Sequence, residues 1–341
     1  MNTLKEKIIS ETEYMLADIE TAVRTNLNPH FDLVSDIAGH ILFAGGKRLR
    51  PLLMILSAGI CGNIKKNYAT ISSMFEYLHT ASLLHDDLID GASIRRGKPV
   101  ANSIWGNSAA VLTGDFLLAR SLSIAAKTGI PAIIEVIAEI TEYMSQGEIF
   151  QLVNKKRLDL SEKEYMKIIK CKTAVLFRGA CKTGALITGA TKDKEAALAS
   201  YGMNLGIAFQ MADDLLDYTS DSKLLGKKTG ADIREGKLTL PVIYALGQAG
   251  SEETDSKEPD SKKPDSKDLR FIEKIIRNKN FNDNDFNKLI ELLKKYQGLS
   301  YTQKLAKDYV QKAKNSLDIF ISSKTKETLL NVADYAMVRK T

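Results

Sequence analysis

Apolar residues recur at helical spacing along most of the chain. In the stretches 72–90 and 133–152 they return every three or four positions, so that they fall on one face of a helix. Alternating apolar and polar runs, which form half-buried strands, are scarce. Glycines and prolines interrupt the pattern where helices should end, as at Gly45-Gly46 and Gly129-Ile130-Pro131. The pattern predicts ten or more helices joined by short loops, in one all-α bundle.

One segment departs from this pattern. From Asp255 the chain reads DSKEPDSKKPDSKDL, a five-residue repeat without an apolar residue before Leu269. Such a segment cannot offset the entropy lost on ordering. Helical periodicity resumes at Phe271, so we expect a single domain over 1–341 with a solvated, low-complexity insertion at about 250–268. A phosphorylatable regulatory loop is the alternative, which nothing else in the sequence supports.

The composition is that of a soluble, helix-rich globular chain. Of 341 residues, 44% are hydrophobic and only seven are proline, which argues against many strands and turns. The formal net charge is +6, but basic and acidic residues are interspersed, so we expect no nucleic-acid partner. Three scattered cysteines (Cys61, Cys171 and Cys181) are not at metal-ligand spacing and indicate a reducing compartment.

The sequence gives little sign of a targeting or membrane segment. The stretch MNTLKEKIISETEYML carries acids and lacks the continuous apolar core of a secretory signal. The longest apolar run, 51–60, is about half of the roughly 20 residues that a membrane span needs. We therefore expect a cytoplasmic protein without a transmembrane segment.

Two clusters of aspartates are embedded in apolar helical sequence. LLHDDLID contains Asp86, Asp87 and Asp90, and MADDLLD contains Asp213, Asp214 and Asp217. Residues four positions apart lie on the same face of a helix, so Asp86 and Asp90, and likewise Asp213 and Asp217, should point the same way.

Like charges on one otherwise apolar face need a positive partner. Mg²⁺ is bound in proteins by one or two carboxylates, with waters and substrate phosphate oxygens completing its shell, and fits this arrangement. A single such cluster could be a solvated helix end with incidental acids. Two such clusters, 127 positions apart in the chain, argue against incidental acids at solvated helix ends.

Basic residues near these clusters could bind phosphate oxygens. Arginine does so with a planar fork and lysine as a point charge. The candidates are Lys47, Arg48 and Arg50 in GGKRLRP, Arg95, Arg96 and Lys98 after the first cluster, then Lys172 with Thr173, Lys227, Lys228 and Lys237. Each alone is more easily explained as a solvated charge, but together with the aspartates they predict a site for two polyanions bridged by metal.

Other catalytic motifs are missing from the sequence. There is neither a glycine-rich P-loop nor a GxSxG turn, and His30, His40, His79 and His85 do not form a metal-binding set. From its spacing alone, His79 is more readily a hydrogen-bonded core histidine than a donor to a diphosphate.

The ordered motifs resemble those of the trans-prenyltransferases, the (E)-isoprenyl diphosphate synthases. They are GGKRLRP, LLHDDLID followed by RRG, GDFLLARS, QGEIFQL, KTAVLF, FQMADDLLDY and LGKKTGADIREGKLTLP. The match runs from about Leu33 to the C-terminus, apart from the insertion. It implies an all-α bundle around a deep central cavity, usually as a homodimer. Where many members read LGKP, this chain has Lys228 in place of the proline but keeps Lys227.

The resemblance also implies roles for individual residues. Mg²⁺ on an allylic diphosphate would be coordinated by Asp86, Asp90 and Asp213, with Asp87, Asp214 and Asp217 in support. The allylic diphosphate would be held by Arg95, Lys172, Thr173, Gln210, Lys227 and Lys237, and isopentenyl diphosphate by Lys47, Arg50, His79 and Arg96. Among these, catalysis would depend most directly on Asp86, Asp90, Asp213, Lys172 and Lys227. For His79 the resemblance implies a donor to a diphosphate, whereas its spacing alone favours a core histidine.

The residues N-terminal to Asp86 bear on product length. The growing chain should run along the helix that carries Asp86, towards its N-terminus, past Ala81 and Ser82, then Leu78, then Phe75 with Met74. One helical turn, about 5.4 Å, is close to one isoprene unit. Because Ala81 and Ser82 are small, we expect a long-chain product near C40 for a quinone side chain, released with at most a loose membrane contact. Geranylgeranyl or farnesyl diphosphate synthase is the alternative, with Leu78 or Phe75 as the stop.

Two other classes, besides the nucleic-acid binder, are less well supported. A terpene cyclase would not need the second basic set, and a non-catalytic subunit of a heteromeric synthase should have lost aspartates that are present here. The basic C-terminal Val338-Arg339-Lys340 could add charge over the isopentenyl site or could fray.

Overall fold

A computed structural model describes residues 3–62, 64–65, 67–95, 97–219, 230–251, 267–278 and 280–338. Its helices are α1 (Leu4–Thr25), α2 (Asp32–Leu42), α3 (Leu49–Cys61), α4 (Tyr68–Ile89), α5 (Ala101–Trp105), α6 (Asn107–Lys127), α7 (Pro131–Val153), α8 (Glu162–Ile169), α9 (Val175–Ile187), α10 (Lys192–Thr219), α11 (Ala231–Arg234), α12 (Leu240–Ser251), α13 (Lys267–Arg277), α14 (Asp283–Lys295), α15 (Gly298–Asn315) and α16 (Lys324–Val338). The prediction of an all-α fold with ten or more helices is confirmed.

Within the described part of the chain, strands occur only in one short hairpin. Strand β1 (Ile94–Arg95) pairs antiparallel with β2 (Lys98–Pro99). The hairpin follows α4, which ends where Gly91 adopts a left-handed φ of 65°. It brings Arg95 back towards the aspartates at the end of that helix.

Both aspartate clusters lie in the last turns of long helices, α4 and α10. The C-terminal end of a helix carries a partial negative charge, which disfavours acidic side chains there. Basic side chains compensate for this at the end of α4, whereas the buried aspartates of α10 are held by neutral hydrogen-bond donors.

The central helices bury a large apolar core. Helix α4 packs against α3 and α6, and α10 packs against α9 and α15. Fully buried side chains such as Met74, Phe75 and Phe177 fill the space between them. A second apolar cluster, which includes Leu160, Tyr218 and side chains of α11 to α14, forms on the other side of the aspartate-bearing end of α10.

Between α8 and α9 the backbone forms a π-helical turn, Lys170–Ala174, in which the Val175 N–H donates to the Lys170 carbonyl. Such turns are rare and are often found at functional sites. Helix α7 approaches the turn closely at Gly147, where an added Cβ would lie 2.8 Å from Cβ of Cys171 and 3.0 Å from the Lys172 nitrogen. The turn contains Lys172 and Thr173.

The helices around the predicted insertion extend slightly into it. Helix α12 ends at Ser251 and α13 already begins at Lys267. In the first turn of α13, Asp268 accepts hydrogen bonds from Lys295 (2.6 Å) and Tyr296 (3.1 Å), which explains why the helix starts before the first apolar residue. Most of the repeat, 255–266, lies outside the described residues.

One described helix, α6, is long and apolar enough to cross a membrane, with a mean hydropathy of 1.4 over 18 residues. The sequence of α6 contains no long unbroken apolar run, because Asp115 and Arg120 interrupt it. Of that window, 39% is buried inside the protein. Leu117 and Ile124, for example, belong to the central core.

Candidate active site

A cavity of about 460 Å³, which we call the aspartate cavity, lies between α4, α6, α7, α10 and the π-helical turn. Ten of the residues singled out in the sequence line it: Arg50, Leu78, His79, Ala81, Ser82, Asp86, Lys172, Thr173, Gln210 and Asp213. The fold therefore brings one aspartate of each cluster, Asp86 and Asp213, to one cavity, although the clusters are far apart in the chain.

The three aspartates of α4 have different surroundings. Asp86 lines the aspartate cavity. Asp87 is buried, and its carboxylate accepts hydrogen bonds from Nε of Arg95 at 2.8 and 2.9 Å, with Nη2 at 2.7 Å. Asp90 is bound by two lysines. Asp86 is thus the member presented to the cavity, whereas the other two carboxylates are held by basic side chains.

Asp90 lies between Lys237 and Lys155, whose ammonium groups donate to its two oxygens at 2.6 and 3.0 Å. Burial opposes ionisation, but the two lysines hold the pKa of Asp90 below its usual value. Lys237 also contacts Glu235 at 2.7 Å. Both lysines line a smaller cavity of about 110 Å³, which shares Lys172 with the aspartate cavity.

Lys172 occupies the centre of this polar region. Its ammonium group pairs with Glu148, donates to Oε1 of Gln151 at 3.0 Å and lies 3.5 Å from Asp86. Burial raises the pKa of Asp86, and the nearby Glu148 carboxylate adds to this effect while Lys172 opposes it. The positive charge around Asp86 is therefore too small to compensate for its burial.

The aspartates of α10 differ in solvent exposure and in their hydrogen-bond partners. Asp213 is exposed and lines the aspartate cavity. Asp214 is buried and accepts from the Tyr165 hydroxyl at 2.5 Å and from the Gln210 amide at 2.9 Å. Burial raises the pKa of Asp214 to about 7, although both hydrogen bonds oppose the shift. Gln210 in turn accepts from the Thr173 hydroxyl at 2.7 Å.

Asp217 is buried one turn further along α10. Its carboxylate oxygens accept from the backbone N–H groups of Ala231 (3.2 Å) and Asp232 (3.1 Å), at the beginning of α11. This is the geometry of a carboxylate that stabilises a helix N-terminus. Asp217 therefore differs from Asp213 in exposure, although their spacing predicts one helix face, because the chain folds back onto Asp217.

In GGKRLRP, the middle basic residue has a structural position. Arg48 is buried with a left-handed φ of 46°, and it pairs with Glu20 (2.9 Å) and Glu76 (2.6 Å). Nη2 of Arg48 also donates to the Leu42 carbonyl at 2.6 Å. These contacts fix the backbone from which the flanking basic residues project.

The two flanking residues are placed differently. Arg50 lines the aspartate cavity, and its guanidinium lies 4.8 Å from the centroid of the Phe177 ring. Lys47 is exposed and lies outside that lining, with its ammonium 5.6 Å from the Tyr335 ring of the C-terminal helix. A contact between the C-terminal helix and the predicted isopentenyl-binding segment is therefore present.

His79 is half-buried and lines the aspartate cavity, so it is not enclosed in the core. Ala81, Ser82 and Leu78 line the same cavity. Phe75, the fourth predicted length-determining residue, is not among the lining residues, because it is fully buried in the central core.

Several predicted positions lie outside the described residues. These are Arg96, Lys227, Lys228, Arg339 and Lys340.

The sequence interpretation missed four polar residues of the site: Glu148, Gln151, Lys155 and Tyr165. Glu148 and Gln151 are three positions apart in QGEIFQL, so their spacing on an otherwise apolar helix could have indicated them. Lys155 belongs to a basic run just after α7. For Tyr165 the sequence carries no comparable signal.

The donor groups of the cavity suit a hard divalent cation. Among the described residues no three His, Cys, Asp or Glu side chains are grouped to hold a metal ion by themselves. Asp86 and Asp213 nevertheless supply carboxylates at one cavity, and the burial of Asp86 leaves it in need of positive charge. Mg²⁺, which is bound through one or two carboxylates and completed by substrate phosphates, fits this set.

Comparison with known proteins identifies the family. The polyprenyl synthetase family model matches residues 31–278. This chain belongs to the polyprenyl synthetase family. It is 34% identical to octaprenyl diphosphate synthase of Escherichia coli (strain K12), over 98% of each chain. It is 32% identical to geranylgeranyl diphosphate synthase of Saccharolobus solfataricus, over 95% of each.

A solved structure in the same family has the same fold. The polyprenyl synthase from Caulobacter crescentus CB15, complexed with calcium and isoprenyl diphosphate, superposes with a TM-score of 0.89 at 35% identity, over 99% of this chain and 98% of that one. Family membership, the all-α fold and a prenyltransferase class of enzyme are therefore confirmed. The named relatives make products of different lengths, so they leave the product of this chain open.

Proposed function

We propose that the protein is a trans-polyprenyl diphosphate synthase, which adds isopentenyl diphosphate to an allylic diphosphate until the product reaches about C40. The observation that carries the proposal is the aspartate cavity, which combines Asp86 and Asp213 from two helices with a wall of small and apolar side chains. One part of it suits polyanions, and the other suits a hydrocarbon chain that must be kept from water.

The allylic diphosphate is bound beside Asp86. Lys172 and Thr173, presented by the π-helical turn, bind it together with Gln210, whose amide oxygen accepts a hydrogen bond from Thr173. Arg95 and Lys237 add positive charge from their positions on Asp87 and Asp90, and Lys227 completes the set. Isopentenyl diphosphate is bound by Lys47, Arg50, His79 and Arg96.

Asp86 and Asp213, with Asp90, are the carboxylates that would hold Mg²⁺, which would supply positive charge to the departing diphosphate. The other three aspartates act by positioning neighbours. Asp87 positions Arg95, and Asp214 positions Tyr165 and Gln210. Asp217 positions the start of α11.

The chain's own groups then promote ionisation of the allylic C–O bond, whose electron pair leaves with the diphosphate. Lys172 and its cationic neighbours stabilise the charge that develops on that group. Apolar walls such as Leu78 and Leu176 exclude water from the allylic carbocation. The isopentenyl double bond attacks the cation to form the new C–C bond, and the proton lost afterwards goes to the released diphosphate, so no side-chain base is needed.

The proposed product length rests on Ala81 and Ser82, which leave the first turn below Asp86 open. From Asp86 to Leu78 is eight residues, or about 12 Å along α4. Extension beyond that level requires Leu78 and the side chains behind it to move aside. One observation favours the shorter alternative, a geranylgeranyl diphosphate synthase. Phe75 is buried directly beyond Leu78, where its ring would stop the growing chain.

The direct test is an assay with purified protein, Mg²⁺, labelled isopentenyl diphosphate and allylic primers of several lengths, with products sized by chromatography. Products near C40 support the proposal, and a stop at C20 supports the shorter alternative. Cyclised hydrocarbon formed without consumption of isopentenyl diphosphate would indicate a terpene cyclase. No turnover with any primer, with the protein folded, would indicate a non-catalytic subunit.

The proposed enzyme acts as a homodimer in the cytoplasm. Exposed apolar side chains on α6 and α7, including Leu112 and Ile134, provide a surface that a second copy could cover. Light scattering of the purified protein tests this directly, since a monomer at micromolar concentration would contradict it.

A further inference from the structure

A second cavity, of about 390 Å³, lies at the opposite end of α4 from the aspartates. We call it the distal cavity. Tyr68 and Ile71, in the first turns of α4, line it, whereas Asp86 lies 18 residues later. At 1.5 Å per residue this separation is about 27 Å along the helix, so the distal cavity is not part of the aspartate cavity.

Three basic side chains line the distal cavity: Lys65, Arg120 and Lys127. The described residues that line it include no carboxylate. Arg120 is half-buried, and one of its five N–H donors, Nε, donates to the Asn26 carbonyl at 2.5 Å. The contact of Arg120 with the end of α1 does not explain why Lys65 and Lys127 line the same cavity.

The remaining lining is suited to an amphiphilic ligand. Ile71, Ile124, Ile130 and Ile187 contribute apolar lining; Ile130 and Ile187 are half-buried, whereas Ile71 and Ile124 are buried. The N-terminal end of α4, whose N-cap Asn67 makes no side-chain capping hydrogen bond, adds partial positive charge on the same side as the lysines.

We propose that the distal cavity is a second anion site, which binds the phosphate group of an organic phosphate through Arg120, Lys127 and Lys65 while the apolar part of the ligand packs on the isoleucines. A prenyl diphosphate and a membrane phospholipid both have this chemistry. One of these residues, Arg120, belongs to the GDFLLARS motif, to which the proposed reaction assigns no role.

The test is equilibrium binding of geranylgeranyl diphosphate to the full chain without isopentenyl diphosphate. With Mg²⁺ we expect two molecules bound per chain. With EDTA we expect one, because removal of Mg²⁺ prevents binding at the proposed metal-dependent site. Arg120→Gln and Lys127→Gln should each weaken the EDTA-resistant binding about tenfold or more, the loss of a charged hydrogen bond. Lys304→Gln, an exposed lysine elsewhere, is the matched control and should bind as the wild type does.

Two further arms identify the ligand. If inorganic diphosphate binds the EDTA-resistant site as tightly as the prenyl diphosphate does, the apolar half of the proposal is wrong. Flotation with phosphatidylglycerol vesicles that weakens in Lys127→Gln would indicate a phospholipid, and absence of flotation would indicate a soluble organic phosphate.

The proposal is overturned if EDTA abolishes all binding, or if the Arg120 and Lys127 variants match the control. Lys127 is exposed, so its variant remains informative even if Arg120→Gln does not fold. Loss of the Mg²⁺-dependent binding alone would contradict the proposed function and not the distal site.

Discussion

Lys172 is bordered by Glu148, Gln151 and Asp86, and its position depends on these neighbours. We predict that Glu148→Gln lowers kcat about tenfold or more, because Lys172 loses a charged partner that orients it. Glu148→Asp should restore part of the rate. Steady-state kinetics with both substrates, and circular dichroism to confirm folding, provide the measurement.

The matched control for this change is Glu135→Gln, an exposed acid on the same helix. Its rate should equal that of the wild type. Equal rates for the Glu135 and Glu148 variants would show that Glu148 does not act through Lys172.

Ala81 lines the aspartate cavity one turn below Asp86. Replacement by phenylalanine should close that turn and shorten the product by several isoprene units. Ala81→Gly removes volume and should not shorten it. Chromatography of the extracted products measures both, and an unchanged length in Ala81→Phe would contradict the view that the chain passes this residue.

At the residue scale, the sequence identified many of the side chains that line the cavity but not what holds them. Spacing indicated Asp86 and Asp213 as candidates, and both line the aspartate cavity. It could not show that Asp217 caps α11 or that Asp214 receives a hydrogen bond from Tyr165, since these partners depend on how distant segments meet.

At the scale of elements, the π-helical turn and its contact with α7 place Lys172 and Thr173. We predict that Gly147→Ala lowers activity more than it lowers stability, because the added methyl would press against Cys171 and the Lys172 backbone. Activity measured beside thermal unfolding separates the two effects.

Gly247→Ala is the control, since no atom lies within 4 Å of the position of its added Cβ. In a helix interior this change should be neutral or stabilising by up to about 1 kcal/mol. If Gly147→Ala retains full activity, the close contact does not position the turn.

Helices were predictable because apolar periodicity extends over many turns of the chain. The β1–β2 hairpin and the π-helical turn were not, because each spans only a few residues and depends on contacts with α4 or α7. The start of α13 was also misplaced, since Asp268 enters the helix through its contacts with Lys295 and Tyr296.

At the scale of the whole molecule, metal and diphosphate should bind together. Among the described residues no three His, Cys, Asp or Glu side chains are already grouped to hold a metal ion, so Mg²⁺ alone should bind weakly. We predict that Mg²⁺ with inorganic diphosphate raises the Tm, by an amount that corresponds to about 2.7 kcal/mol when the ligand is at 100 times its Kd. Calorimetry should show little change with either component alone; a full shift with Mg²⁺ alone would contradict this.

The all-α class and the meeting of both aspartate clusters at one cavity could be inferred from the sequence, the latter through the resemblance. The distal cavity could not, because Lys65, Arg120 and Lys127 have no shared motif and come together only where the ends of α4 and α6 meet. The single-domain organisation, the homodimer and the solvated repeat stay predictions.

The central claim is that Asp86 and Asp213 bind one diphosphate through shared metal ions. The most direct measurement is a crystal structure with Mn²⁺ and an unreactive allylic thiolodiphosphate, in which anomalous scattering locates the ions. The account predicts ions at coordination distance from both carboxylates and from the same diphosphate. Ions that contact only one cluster, or a diphosphate bound away from the aspartate cavity, would contradict it.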